Sequence, residues 1–69
     1  MFIKIVKLDF EKYAENTTAW HLVLDLSYFD SDKRVSVQAL SKEHQQTESF
    51  YIENLPQLEH DGMIVIEKD

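Results

Sequence analysis

Hydrophobic and polar residues alternate most regularly between Thr17 and Leu40. Trp20, Leu22, Leu24, Leu26 and Tyr28 hold one parity there, and His21, Asp25 and Ser27 hold the other. A period of two marks a half-buried strand, and Val35, Val37 and Ala39 resume it beyond a polar break. A turn at Ser31–Asp32 sets Tyr28 opposite Val35, Leu26 opposite Val37 and Leu24 opposite Ala39, while Asp30 meets Lys33 and Asp25 meets Gln38. One register satisfies both faces, and a one-residue slip would reverse every side chain. The stretch therefore predicts a β-hairpin, closed by a two-residue turn or by a four-residue loop from Asp30 to Lys33 that keeps the same pairing.

Phe2 to Leu8 predicts another strand, with Phe2, Val6 and Leu8 on one side and Ile3 and Ile5 on the other. Apolar on both sides, it belongs in the centre of a sheet or at a subunit contact. Asp9 to Asn16 reads either as a short capped helix carrying Phe10, Tyr13 and Ala14 inward or as a loop. Ser41 can cap a helix, yet Lys42 to Ser49 has no apolar residue to hold one. The preferred reading is a polar loop followed by a strand from Phe50 to Glu53, with Phe50 and Ile52 inward, Tyr51 outward and Pro56 ending the ladder. Its rival is a helix through Tyr51, Leu55 and Leu58. Asp61–Gly62 signals a turn, and Met63 to Ile66 forms a last strand covered on both faces. The fold class expected is mainly β: a small antiparallel sheet of four or five strands curled as a barrel or sandwich, with one short helix in an α+β alternative.

Length narrows this picture. The 69 residues make a single domain from 1 to 69, and one this short buries only about 60% of the surface its unfolded chain exposes. Without cysteine there is no disulfide or thiolate zinc site to reinforce it, so association with a partner or with itself becomes an expected source of stability. Eight aromatic residues (one Trp, three Tyr, four Phe) argue against a disordered chain. The opening run MFIKIVKLDF is too short for a membrane span and is broken by Lys4 and Lys7, which predicts a cytoplasmic protein.

Catalytic chemistry has little to build on. There is no Gly-rich phosphate loop and no nucleophile elbow. His21 and Asp25, if on a strand, stand roughly 13 Å apart, beyond hydrogen-bond reach. His44 and Glu48 have a helical ligand spacing, with Glu59, His60 and Asp61 nearby, but a zinc site needs three converging ligands. Neither an enzyme, a metal nor a cofactor is expected. Trp20 shares the parity of the leucines and is assigned to the core.

Charge carries the functional expectation. Thirteen acids against seven bases give a net charge of −6, which disfavours direct binding to nucleic acid or to an anionic membrane. Between Lys42 and Lys68 there is no lysine or arginine at all. The interval holds Glu43, Glu48, Glu53, Glu59 and Asp61, and with Tyr51 as an aromatic anchor these form the expected partner-binding set. The partner is a basic protein surface, and if that surface normally holds DNA or RNA, the chain acts as a non-enzymatic inhibitor by charge mimicry. Small acidic inhibitors of nucleases and polymerases, many of them phage-encoded, share this size and charge. The alternative is an assembly module that forms a homo-oligomer through an exposed apolar strand.

Overall fold

Thr17, Ser36 and Thr47 each hold extended backbone, and each side-chain oxygen accepts a hydrogen bond from the N–H three residues on, at Trp20, Ala39 and Phe50 (3.3, 3.3 and 3.2 Å). This is helix N-capping: the cap satisfies a donor that the first turn leaves without an intrahelical partner. In the computed structural model, which describes residues 1–29 and 34–68, the three caps start α1 (Thr18–Leu26), α2 (Val37–Glu43) and α3 (Glu48–His60). Three strands complete the described residues: β1 (Phe2–Ile5), β2 (Arg34–Ser36) and β3 (Ile64–Glu67). They form an open antiparallel sheet in the order β2-β1-β3.

The architecture is α+β, and the mainly-β barrel or sandwich is overturned. The decisive segment is the alternating stretch after Thr17. Ala19, Leu22, Val23 and Leu26 also recur at i, i+3, i+4 and i+7, and these are the residues α1 turns to the core, with Leu22, Val23 and Leu26 fully buried. Both periods pass through Leu22 and Leu26. Thr17 settles the choice by capping a segment whose three leucines, unbranched at Cβ, lose little rotamer freedom in a helix. The expected hairpin does not exist: Val35 pairs with Ile3, and Val37 and Ala39 belong to α2. The turn at Ser31–Asp32 and its alternative from Asp30 to Lys33 lie outside the described residues.

The strand expected from Phe50 to Glu53 is likewise replaced by α3, in which Tyr51, Leu55 and Leu58 form one buried stripe at i, i+4 and i+7. Capping by Thr47 and an acidic first turn at Glu48 favour that helix locally. Its C-terminus is a Schellman motif. Gly62 has φ of 80°, its N–H donates to the Glu59 carbonyl (3.0 Å), and the Met63 N–H donates to the Leu58 carbonyl (3.0 Å). The Asp61–Gly62 signal therefore stops a helix before it admits a strand. Ser41 caps nothing; it lies inside α2 with its hydroxyl donating to the Gln38 carbonyl.

β1 takes the central position expected of it. Ile3 and Ile5 are buried beside Val35 and Ile64, beneath Leu22, Val23, Leu26, Leu40, Tyr51, Leu55 and Leu58. The outer face is open, with Val6 (57% exposed) and Val65 (47% exposed) uncovered. The two-sided cover expected for both strands is thus supplied on one side only. Asp9 caps a single 3-10 turn, Phe10–Lys12, which leaves Phe10 and Ala14 exposed and packs Tyr13 against the core.

Candidate interaction surface

Three of the six expected binding residues remain on the surface as side chains oriented to solvent. Glu43 ends α2, Glu48 begins α3, and Glu53 follows on the exposed side of α3. Two others are engaged within the fold. A Glu59 carboxylate oxygen accepts the Ile66 N–H at 2.8 Å, and Asp61 accepts from the Tyr13 hydroxyl at 2.5 Å and from the Gln57 amide at 3.0 Å. The sixth is corrected: Tyr51 is 0% exposed, so it anchors the core and not a partner. The error follows from the period, since the strand that would turn Tyr51 outward is a helix that turns it inward.

The Tyr13–Asp61 contact ties the chain before α1 to the end of α3. Burial, and then the bond to Asp61, raise the Tyr13 hydroxyl above its ordinary value. The same bond, followed by that from Gln57, holds the Asp61 carboxyl below the usual carboxylate range. The signs differ accordingly. The Asp61 contribution is present above the unfolded carboxylate value of about 3.9 and is lost as pH falls through the lowered folded value. The Tyr13 contribution is full below about pH 10 and is lost only as pH rises through its raised folded value. Tyr13→Phe should therefore lower the melting temperature by a few degrees at neutral pH, with the gap to the parent closing below about pH 4. Melting curves recorded across that range check it, and a gap independent of pH would remove the ionised Asp61 from the account.

A second polar group sits where the three helices meet. The Asp25 carboxylate of α1 lies 3.6 Å from Nδ1 of His44, the residue that caps the C-terminus of α2. Beside them, burial and then the Asp25 charge raise the Tyr51 hydroxyl, which lies 3.5 Å from the Leu40 carbonyl. Nε2 of His44 is buried without a hydrogen-bond partner. A general base needs access to its substrate proton. With Nε2 shut away, the Asp25–His44 pair acts as a clamp between helices. His21 and Asp25, expected far apart on a strand, are one turn apart on α1, but His21 is exposed and sets its ring against Trp20 (5.1 Å between centroids). Trp20 is half-buried, its other neighbour being the exposed Phe10. His44 and Glu48 lie on either side of the loop joining α2 to α3, so they share no helical face, and among the described residues no three His, Asp or Glu side chains group as a metal site.

Two of the cations lie on the sheet. Lys4 and Arg34 are paired across β1 and β2 on the open face of the sheet. The Arg34 guanidinium lies 4.4 Å from the centre of the Phe2 ring and its Nε is 3.3 Å from Glu67. The open sheet face therefore carries both signs, and Lys42 stands beside Glu43 in the last turn of α2. Between α3 and the outer edge of β3 runs a groove of about 410 Å³ lined by Ile52, Pro56, Ile66 and Met1, with Glu59 and Lys68 also on its wall. Ile52, expected to face inward on a strand, is 53% exposed on α3, and Pro56, expected to end a ladder, lies inside that helix at an exposed position. The signal was present: in a helix facing the core with Tyr51, Leu55 and Leu58, positions 52 and 56 fall on another side.

No helix among the described residues is long and apolar enough to cross a membrane. Comparison with protein-family models, with curated proteins and with solved structures yields no match to this chain.

Proposed function

We propose that the protein is a non-catalytic binding module of the cytoplasm that docks the acidic surface of α2 and α3 on a basic surface of another protein. The observation that carries this reading is the placement of Glu43, Glu48 and Glu53 on exposed helical positions within a stretch of sequence, 43–67, that has no lysine or arginine. Like charges on one small domain repel one another, and a Lys- or Arg-rich groove relieves that repulsion while drawing the two surfaces together. Where the groove serves DNA or RNA, occupancy by this protein inhibits by competition. Glu59 and Asp61 contribute only to the surrounding field, because their carboxylates serve the fold.

The test is affinity capture from cytosolic extract at low and high salt, followed by competition. A nucleic-acid-handling protein retained at low salt, released by salt and displaced by its own DNA or RNA is the expected result. The triple variant Glu43→Lys, Glu48→Lys, Glu53→Lys should bind that protein at least about tenfold more weakly, since each exposed pair is worth up to about 1 kcal/mol. Equal capture of parent and triple variant would sink the reading.

A further inference from the structure

We propose that the groove beside α3 is half of a longer trough, and that the trough holds an extended basic segment of the partner, with two apolar side chains inside it and a lysine or arginine at its Glu48 end. This deepens the docking on a basic protein proposed above and rests on it. Glu48, Ile52, Pro56 and Glu59 recur at i, i+4, i+8 and i+11, so they share one narrow stripe of α3, and all four are exposed. Two hollows lie along that stripe. The groove of about 410 Å³ flanks Pro56 and Glu59, and a second hollow of about 320 Å³ lies toward the start of α3, lined by Phe2, Val37, Gln38 and Glu48. Met1 and Ile52 line both, so the hollows adjoin and these two side chains form the saddle between them. The helical rise from Glu48 to Glu59 makes the trough about 16 Å long.

The lining specifies the chemistry of the occupant. Ile52, Pro56 and Ile66 give the centre apolar surface that the chain itself leaves in water, Ile52 being 53% exposed. The polar groups along the stripe are acceptors. Glu48 forms no hydrogen bond or ion pair among the described residues, and the carbonyl of Ile52 has no helical donor because Pro56 lacks an N–H. At the other end the Glu59 carboxylate accepts the Ile66 N–H, and Lys68 shares the wall with it. The uncompensated charge is therefore at Glu48, and the cation of the occupant belongs there. A second copy of this chain, with its own charge of −6, fits that charge poorly.

An extended segment matches the dimensions. Side chains on one face of an extended chain are about 7 Å apart, so three of them at i, i+2 and i+4 span about 14 Å. One places its cation over Glu48, and the next two enter the hollows on either side of the Met1–Ile52 saddle. Backbone N–H groups of the segment pass the Ile52 carbonyl. This is recognition by alternate side chains, with charge fixing the direction of the segment.

The probe is a blocked six-residue peptide with lysine first, leucine third and fifth, and serine elsewhere, titrated into the nitrogen-15-labelled full chain. The amide signals of Val37, Ile52 and Ile66 should shift together and saturate at millimolar peptide or below. Glutamate in place of the lysine should weaken binding at least about fivefold, the scale of one exposed ion pair, and serine in place of both leucines should abolish the shifts. Ile52→Ser should keep the far-ultraviolet spectrum of the parent and bind the lysine probe about tenfold more weakly. Glu48→Gln should bring the lysine and glutamate probes within about twofold of each other. Amides that stay unmoved at millimolar lysine probe overturn the proposal, as do a glutamate probe bound as tightly by the parent and an Ile52→Ser variant that binds like the parent. The affinity capture above separates the two readings: a partner lost by the triple glutamate variant but kept by Ile52→Ser overturns the trough alone, and a partner kept by both overturns docking on the acidic surface as well.

Discussion

Tyr51→Ala is expected to lower the unfolding free energy by about 3–5 kcal/mol, the cost of emptying a large aromatic site in a packed core. Tyr51 is fully buried among residues from α1, α2 and α3, with its ring 5.2 Å from that of Phe50. At about 0.05–0.15 kcal/mol per residue, a chain this short has a total stability of the same order as that loss. The variant should therefore be substantially unfolded without denaturant, which far-ultraviolet circular dichroism during a urea titration will show. Tyr51→Phe keeps the ring and removes only a hydroxyl at 3.5 Å from the Leu40 carbonyl, so its unfolding free energy should lie within about 1 kcal/mol of the parent's. This pair separates a core role from a surface one. Were Tyr51 a binding anchor, the alanine variant would stay folded and lose only its partner.

Pro56→Ala should change stability in the opposite direction. Pro56 lies inside α3, where it offers no N–H to the carbonyl of Ile52, and proline in a helix interior costs about 3 kcal/mol relative to alanine. Part of that is returned by the stiffer unfolded chain, about 0.4–1 kcal/mol. The expected gain is about 2 kcal/mol, or roughly 10 °C in melting temperature for a domain of this size. Differential scanning calorimetry reads it directly. A variant no more stable than the parent would show that the ring's contacts in the groove offset the missing bond.

Sequence reading succeeded where one local signal acted alone. Ile3 and Ile5 flanked by Lys4 set a strand, and its central place followed from apolar residues on both parities. Gly62 marked a chain reversal because a left-handed backbone is easiest for glycine, although the element it ended was a helix. The run without lysine or arginine from 43 to 67 is a property of composition that no folding can alter. Reading failed where two periods fitted the same residues. Leu22 and Leu26 belong equally to an alternating strand and to a helical stripe, and the difference rested on Ala19 and Val23, whose small or branched side chains were weak votes beside Trp20 and Leu24. Tyr51 was lost by the same ambiguity.

The sequence by itself determined the charge, the absence of cysteine and the places where the backbone could start, stop or turn, because those depend on the chemistry of one residue and its neighbours. Only the tertiary structure decided which apolar parity faces inward, that Tyr51 is core, that Glu59 guards an edge strand, that Asp61 receives Tyr13, and that Val65 and Ile52 stay exposed. Each of these depends on a partner brought from elsewhere in the chain, 48 residues away for Tyr13 and Asp61. Packing selects such partners by the area and hydrogen bonds they offer together, a quantity that no local window contains.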